Sequence, residues 1–435
     1  MLRSLFMRSL LGGVATATLA LPGAAETIAI TNARILTMGP AGEIAQGVVV
    51  VRDGKVAAVG ASLTPPAGAR VIDARGGVVT PGLIAVGAPI SVDEVSEGVP
   101  ETDDSATASD RLSAAFDPQY AVNPWSLVIP TARLGGITDV VITPEFRRSK
   151  DKRPSSMLFG GQATAIHLGP GADLVEKPHA GMVLALGEAG AERVGGSRAA
   201  EIVLLKSIFQ DVRDYEKNKA QYDLGHSREL ALGREDLEAL IPVVEGREPL
   251  IASVHRAADI LEVLRLAREE KLDLILEGAE EGYMVAAQIA AAHVPVLVHG
   301  FEDLPSSFDR IGATLENPAR LQAAGVTLVI ENPSFFTSAR TPRIDAGRAV
   351  AHGLPYGAAL ASITITPAKV FGLADRIGSI EPGKDADIVV WSGDPLEPLS
   401  APTAVLVKGV EEPLRDRDLD LRDRYMPGAP PVSGQ

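Results

Sequence analysis

Histidine and acidic side chains that follow predicted strands are the residues of this sequence that could do acid–base or metal chemistry. His255 follows the apolar run 250–254, and His299 follows the run 294–298. Asp303 lies shortly after His299, and three glutamates also lie near predicted strand ends: Glu277, Glu280 and Glu331. An imidazole beside a carboxylate can move a proton or help to bind a divalent cation. The alternative is that both histidines only hydrogen-bond loop backbone.

Several sequence signatures of catalysis are missing. The 7 histidines form no His-x-His or His-Glu-x-x-His pattern. The sequence contains no Gly-x-Ser-x-Gly nucleophile motif and no glycine-rich phosphate loop ending in Lys-Ser or Lys-Thr. It has no cysteine, which excludes disulfides, thiol nucleophiles and zinc–thiolate sites. Short motifs therefore leave the chemistry open.

Between about residues 120 and 370, short apolar runs alternate with amphipathic segments. Leu250 to Val254 is a predicted strand, Ala257 to Glu270 a helix and Leu272 to Leu276 the next strand. Repeated units of this kind predict a parallel sheet with right-handed crossovers, and their number suits a (β/α)8 barrel. The candidate histidines would then face the barrel mouth, where sites in this fold lie.

Both ends of the chain are predicted to be rich in β structure. Short alternating runs and an Asp53-Gly54 turn predict strands in residues 26–80. Further apolar runs after residue 386 predict strands near the C-terminus. We expect segments 26–80 and 375–425 to form one small composite β-sandwich domain beside a barrel of residues 81–374.

Two motifs resemble a known superfamily. Residues 375–387 read Asp-Arg-Ile-Gly-Ser-Ile-Glu-Pro-Gly-Lys-Asp-Ala-Asp, and Pro81-Gly82-Leu83-Ile84 follows an apolar strand. Both resemble the amidohydrolase superfamily, most closely its imidazolonepropionase-like branch of metal-dependent hydrolases. The resemblance covers nearly all of the chain after residue 25. It implies a (β/α)8 TIM barrel with a composite β-sandwich, and hydrolysis of non-peptide or dipeptide-like C–N bonds.

The metal-ligand positions that the resemblance implies are occupied by unsuitable residues. Family members hold one or two divalent metals, and their first histidine pair falls on Gly87 and Pro89 here. The ligands of strands five, six and eight fall on Ser253, Gly278 and Asn332. Glycine and proline have no ligating side chain, and an amide cannot act as a general base. We therefore predict that the familiar metal site has been dismantled.

Two further positions of the family's metal site are the aspartate of its first motif and the residue that bridges the metals. Ala85 stands where the family has an aspartate beside its first histidine pair. The residue that bridges two metals in the family cannot be placed from the sequence. Lys177 and Lys206 are candidates for it, although both are better explained as surface lysines.

Charge and targeting signals limit the partners. With 41 Lys and Arg against 56 Asp and Glu, the net charge is −15, a poor match for nucleic acid or anionic membranes. Arg3 and Arg8 precede an apolar run that is short for a bilayer span. Residues 1–25 are therefore predicted to be a cleavable signal peptide, with an uncleaved anchor as the alternative. A periplasmic or secreted protein without a stable membrane anchor is expected.

Two other segments are interpreted from their composition. The acidic stretch 91–119 is predicted to be a solvated loop, with a lid as the alternative. Residues 426–435 contain several Pro, Gly and Ser residues and are predicted to be a disordered tail.

Three functional hypotheses follow. We favour a catalytically impaired superfamily member, a pseudoenzyme that binds a small-molecule ligand or assembles with itself or an active paralogue, with no cofactor expected. The second is an active amidohydrolase with a relocated metal or acid–base site near His255, His299 and Asp303, using zinc or a similar divalent metal if a metal is involved. The third is a structural subunit whose barrel is filled by side chains.

Overall fold

The computed structural model describes residues 26–94, 102–107, 109, 111–146, 157–301, 303–331, 341–426 and 428. The predicted signal peptide and most of the predicted tail lie outside the described residues. In chain order the strands are β1 (Ile28–Leu36), β2 (Glu43–Arg52), β3 (Lys55–Gly60), β4 (Arg70–Asp73), β5 (Val78–Pro81), β6 (Leu83–Val86), β7 (Ile137–Ile142), β8 (Phe159–His167), β9 (Val175–Ala185), β10 (Leu250–Val254), β11 (Leu274–Gly278), β12 (Val296–His299), β13 (Leu328–Glu331), β14 (Ile388–Trp391), β15 (Pro402–Val407) and β16 (Val410–Glu411).

Most helices lie in the second half of the chain. The helices are α1 (Val128–Arg133), α2 (Gly187–Arg193), α3 (Arg198–Asp223), α4 (Arg234–Val244), α5 (Ala257–Glu270), α6 (Ala286–Ala291), α7 (Asn317–Ala323), α8 (Pro342–Ala351), α9 (Tyr356–Ala361), α10 (Ile365–Val370) and α11 (Arg417–Tyr425). Short 3-10 helices occupy Pro118–Ala121, Gly282–Val285 and Phe308–Arg310. Within the described part of the chain, no helix combines the length and apolar composition needed to cross a bilayer.

One sheet is built from both ends of the chain, as predicted. Its order is β16-β15-β14-β5-β1-β2-β3, and β4 pairs with part of β1. Branched apolar side chains from both segments fill its core, among them Ile30, Val49, Val79, Ile388 and Leu406. Neither chain end could complete this sheet or its core alone.

The other sheet is the barrel. Strands β6 to β13 follow one another in chain order, and β13 approaches β6, so that the sheet is nearly closed. Ile251, Ile275, Leu297 and Val329 form an apolar layer inside it. The predicted barrel with a composite β domain is thus confirmed.

The direction of one barrel strand departs from the prediction of a parallel sheet. β8 runs antiparallel to both β7 and β9, whereas β6–β7 and all pairs from β9 to β13 are parallel. Only residues 168–174 connect β8 to β9. A parallel pair needs a crossover of a dozen or more residues, so this short connection forces a hairpin.

The segment after the first barrel strand is packed in the part that the structure describes. Ser113 and Ala114 are buried. The backbone N–H groups of Ser113 and Ala115 donate to Asp236 Oδ1 of α4, at 3.0 and 2.9 Å. The prediction of a solvated loop is therefore wrong for this stretch, because its backbone is tied to a buried carboxylate.

A tryptophan joins the two sheets. Trp391 on β14 is fully buried, and its Nε1–H donates to Thr80 Oγ1 at 2.9 Å. Its ring lies against Gly136, where a Cβ atom would stand 2.5 Å from the ring carbon Cη2. Gly136 also has a φ of +80°, a conformation that favours glycine. Only glycine therefore lets β7 begin this close to Trp391.

Two carboxyl groups are buried at the same junction. Asp139 lies on β7, and Asp387 immediately precedes β14. Asp387 Oδ1 accepts a hydrogen bond from the backbone N–H of Lys408 at 2.6 Å. The other oxygen, Oδ2, and Asp139 Oδ1 are buried without a hydrogen-bond partner among the described residues. Charge at this contact between barrel and sheet is therefore poorly compensated.

Candidate functional site at the barrel mouth

Four consecutive barrel strands place one polar side chain each in a common layer. Side chains alternate along a strand, so residues two positions after the apolar interior layer also point into the barrel. These residues are Ser253 on β10, Glu277 on β11, His299 on β12 and Glu331 on β13. Strand register pairs Ser253 with Glu277 and His299 with Glu331. The carboxyl ends of the strands therefore build a polar floor at the mouth.

His255 and Glu280 extend this layer from the following loops. His255 Nδ1 lies 2.6 Å from Glu280 Oε2, and Arg310 Nη2 lies 3.3 Å from His255 Nε2. A guanidinium can only donate, so Nε2 must accept and Nδ1 must carry the hydrogen that is donated to Glu280. Both ring nitrogens of His255 are thus engaged, one by Glu280 and one by Arg310.

His299 lies between two glutamates. Its Nδ1 is 3.8 Å from Glu280 Oε1, and its Nε2 is 3.4 Å from Glu331 Oε1. Burial lowers the pKa of His299 and is the largest single influence, but the two carboxyl groups outweigh it and raise the pKa to about 9. At neutral pH this imidazole therefore carries a positive charge.

The glutamates of the cluster differ in protonation. Burial alone would raise the pKa of Glu280, but its contacts with His255, His299 and Arg310 bring that pKa well below its ordinary value. Burial, followed by the charge of Glu277, raises the pKa of Glu331 to about 8. Burial also raises the pKa of Glu277, although the hydrogen bond from Ser253 acts to lower it. At neutral pH, Glu280 is the charged carboxylate and Glu331 holds a proton.

The residues at the predicted ligand positions offer little to a metal. Gly87 has a φ of +84° and Gly278 a φ of +83°, so both have backbones that favour glycine. Pro89 is buried and has no donor atom, and Ser253 donates its hydroxyl hydrogen to Glu277. Asn332 lies outside the described residues.

Gly278 has a specific neighbour. A Cβ atom at this position would lie 2.6 Å from His255 Cε1 and 3.2 Å from Glu280 Oε2. The His255 ring therefore fills the space that any side chain of residue 278 would need.

The fit of a divalent metal can be tested on the donor groups. Across the described ranges, no set of three or more His, Asp or Glu side chains is arranged to hold a metal ion. Lys177 donates from Nζ to the carbonyl oxygen of Phe371 at 2.8 Å, and Lys206 pairs with Glu269 on the surface at 2.6 Å. Neither lysine thus acts as a bridge at the mouth. The described residues do not fit the metal centre that the resemblance implies.

The structure brings His255 and His299 together, through Glu280, but leaves Asp303 out. Asp303 is exposed, with no hydrogen bond or ion pair to other described residues. Arg310 was not anticipated from the sequence, because it reaches the cluster from a 3-10 helix in the loop after β12. The signal in the sequence that could have placed His299 and Glu331 inside the barrel is the alternation of side chains along β12 and β13.

Comparisons with known proteins agree with this architecture. Residues 260–412 match the model of the Amidohydrolase family. The crystal structure of an amidohydrolase from Thermotoga maritima MSB8 is similar to this chain with a TM-score of 0.78 and 28% identity, covering 89% of this chain and all (100%) of that one. Family match and fold together place the chain in the amidohydrolase superfamily.

Two curated relatives are similar over shorter shares of their length. Amidohydrolase tasK from Hapsidospora irregularis is 25% identical over 381 residues, which cover 80% of this chain. A 5'-deoxyadenosine deaminase from Methanosarcina mazei is 50% identical over 58 residues, or 13% of this chain. The matched regions span 37% and 13% of those two proteins.

Proposed function

We propose that this member of the amidohydrolase superfamily does not use the metal-dependent hydrolysis of the family and acts as a ligand-binding or partner subunit. The observation that carries the proposal is the contact between His255 and Gly278. Because the imidazole fills the space above the glycine, the ligand position of strand six cannot accept a side chain unless His255 moves.

The hydrogen bonding of the histidines supports the same conclusion. A histidine ligand must offer an unprotonated ring nitrogen to the metal. His255 Nε2 already accepts from Arg310, and its Nδ1 carries the hydrogen donated to Glu280. Both nitrogens of His299 face carboxyl groups. A metal could bind only after these contacts were broken.

Incompletely satisfied carboxyl oxygens in the cluster suggest a ligand class. Glu280 Oε1 and both carboxyl oxygens of Glu331 make no hydrogen bond of regular geometry among the described residues. Their close polar neighbours there include Arg310 Nε, 3.3 Å from Glu280 Oε1, and His299, whose Nε2 lies 3.4 Å from Glu331 Oε1. Buried acceptors of this kind are expected to find a donor. We therefore propose a small polar ligand that carries N–H groups, such as an amine or amide.

Partner and compartment are part of the proposal. The match to tasK covers 37% of that longer protein, which supports a chain that works beside a second unit. We propose assembly with an active paralogue or with a second copy of this chain. The composition of residues 1–25 supports export to the periplasm or medium.

Metal content is the direct test. The protein should be purified without a metal-affinity column, dialysed against zinc or manganese, and measured by inductively coupled plasma mass spectrometry. We expect substoichiometric metal. One or two tightly held equivalents, together with hydrolysis of dipeptides or cyclic amides at rates normal for the family, would overturn the proposal.

The contact between Glu331 and His299 supports a second candidate function. Glu331 and His299 face each other at 3.4 Å, with pKa values of about 8 and about 9, so this pair could exchange a proton between about pH 8 and pH 9, where Glu331 is ionised and His299 is still protonated. A relocated acid–base site would then cleave a C–N bond without the family metal. His299→Gln should abolish any such hydrolysis, and His226→Gln, at an exposed histidine outside the cluster, should leave it unchanged. Equal rates in both variants exclude this candidate.

A further inference from the structure

A cleft opens on the outside of the barrel between α5 and α6. It has a volume of about 850 Å³ and lies near the amino-terminal ends of β11 and β12, at the opposite end of these strands from the mouth. Clefts of about 300–1,000 Å³ are typical of small-molecule sites. The cleft shares no lining residue with the cluster at the mouth.

One half of the cleft is apolar. Leu261 and Leu264 of α5 line it, and Leu261 is 41% exposed. The opposite wall carries Ala291 and Ala292, at the end of the short helix α6. Alanine side chains are too small to fill the gap to α5, so an apolar channel remains open to solvent.

The other half is basic. Arg268, Lys271 and His293 are exposed at this end, and none makes a side-chain hydrogen bond or ion pair within the described part of the chain. Arg265 also lines the cleft but is paired with Glu262. Arg268 and Lys271 thus place two positive charges without an ion pair among the described residues at this end of the cleft, in a chain with a net charge of −15.

The apolar and basic halves belong to one helix face. Residues 261, 264, 268 and 271 follow the three- and four-residue spacing that places side chains in a row along a helix. Favourable interaction with the helix dipole accounts for cations at the C-terminal end of α5. It does not account for the open apolar channel that continues from them.

We propose that this cleft binds a fatty-acid anion. Its carboxylate would meet Arg268 and Lys271, and its alkyl chain would lie along Leu261 and Leu264. Asp273, also in the lining, is the acidic side chain that such a ligand would meet. The match is one of charge and shape: a negative head at the basic end and a flexible apolar tail in the channel.

Binding of dodecanoate to the purified full chain, below its critical micelle concentration, tests this directly by isothermal titration calorimetry. We expect one saturable site. Arg268→Glu and Lys271→Glu should each weaken binding by about tenfold or more, the effect of about 1.4 kcal/mol. Ala291→Phe, which keeps the charge and fills the channel, should do the same.

Control variants and control ligands distinguish binding at this cleft from non-specific binding of dodecanoate to the protein. Lys217→Glu changes an exposed lysine of α3 by the same charge and should bind dodecanoate as the wild type does. Dodecanol has the same tail without the carboxylate, and hexanoate has the head with a shorter tail; both should bind at least tenfold more weakly (about 1.4 kcal/mol). Equal binding of dodecanol, or equal loss in Lys217→Glu, would overturn the proposal. So would a dimer that dissociates in Lys271→Glu, because the cleft would then be an interface between copies.

Discussion

Gly278 shows how a single backbone position constrains the mouth. Its positive φ and the lack of a side chain let the His255 ring lie over the end of β11, where it meets Glu280 and Arg310. The same arrangement removes a position from which a metal ligand could project. At this residue, a side chain could be accommodated only if the His255 ring moved.

Gly278→Ala should lower the free energy of unfolding by about 2–4 kcal/mol. The added Cβ collides with His255, and alanine is strained at positive φ. Urea denaturation at neutral pH measures the change. Gly325→Ala is the matched control, since Gly325 has a φ of +88° but no atom within 4 Å of the added Cβ.

The difference between these two alanine variants isolates the collision from the backbone strain. In a His255→Ala background, Gly278→Ala should cost no more than Gly325→Ala does. An unchanged cost in that background would show that His255 does not occupy the space above residue 278.

His299 should titrate far above an ordinary histidine. Its pKa of about 9 depends on Glu280 and Glu331, and Glu280→Gln removes the first of them. In ¹³C-labelled protein, with the signal assigned by His299→Gln, we expect the pKa of His299 to fall by at least one unit (about 1.4 kcal/mol) in Glu280→Gln. Asp303→Asn, at an exposed carboxylate, should leave it unchanged.

The same titration has a consequence for stability. The folded pKa of His299 lies above its ordinary value of about 6.5. Its ion pair with the charged Glu280 therefore contributes fully below about pH 6.5, and the contribution is lost as the pH rises through about 9. A free energy of unfolding that rises between pH 7 and 9 in the wild type relative to His299→Gln would contradict this assignment.

Individual site residues were predictable to different degrees. His255, His299, Glu277, Glu280 and Glu331 could be placed near strand ends, because strand ends follow from local apolar runs. Their mutual contacts could not, since strand register and loop path are set by pairing across the barrel. Arg310 carries no local signal at all: it depends on how the loop after β12 folds back.

Elements were predicted well where the pattern was local and regular. β10 and α5 have the predicted bounds, β11 is displaced by two residues, and β12 begins two residues later than its predicted run. The antiparallel direction of β8 does not follow from apolar runs, because such runs carry no information on strand direction; the shortness of the link to β9 does carry it. α11 was missed, since its mixed charges bury no side chain.

The junction between β7 and β14 predicts an unusual pH dependence. Burial raises the pKa of Asp387 to about 7, and burial together with the charge of Asp387 raises the pKa of Asp139 well above its ordinary value. Glu176 nearby is already paired with Arg376 and Lys408, at 3.0 and 2.8 Å. Little positive charge is therefore left for the two aspartates.

Asp387→Asn should stabilise the protein at pH 8. A raised carboxyl pKa contributes stability below about pH 4 that is lost as the pH rises through about 7. Asparagine cannot ionise, so the variant does not lose this stability as the pH rises. It should be more stable than the wild type by about 1–3 kcal/mol at pH 8, and by less at pH 5. Urea unfolding at both pH values measures it, with Asp375→Asn at an exposed site as the control.

At the scale of the whole molecule, barrel and composite sheet should unfold together. β5 and β6 are separated by Gly82 alone, and Trp391 packs against both sheets. The 2 tryptophans allow a test, because Trp125 is 79% exposed and Trp391 is buried. In Trp125→Phe, the remaining fluorescence reports on the junction.

We expect the fluorescence transition of Trp125→Phe to coincide with the circular dichroism transition in urea. Coincident transitions are the signature of one cooperative unit. A fluorescence midpoint at clearly lower urea would mean that the composite sheet opens while the barrel persists.

The shared sheet also sets an order for biosynthesis. β1 to β5 leave the ribosome first, but β14, which covers the edge of β5, follows some three hundred residues later. Until then β5 keeps an open edge, and open edges promote mispairing between chains. The barrel is translated entirely within this interval. A nascent chain must therefore keep its first strands from associating with others until its last strands arrive, and mutations that slow barrel folding should first appear as aggregation through this edge.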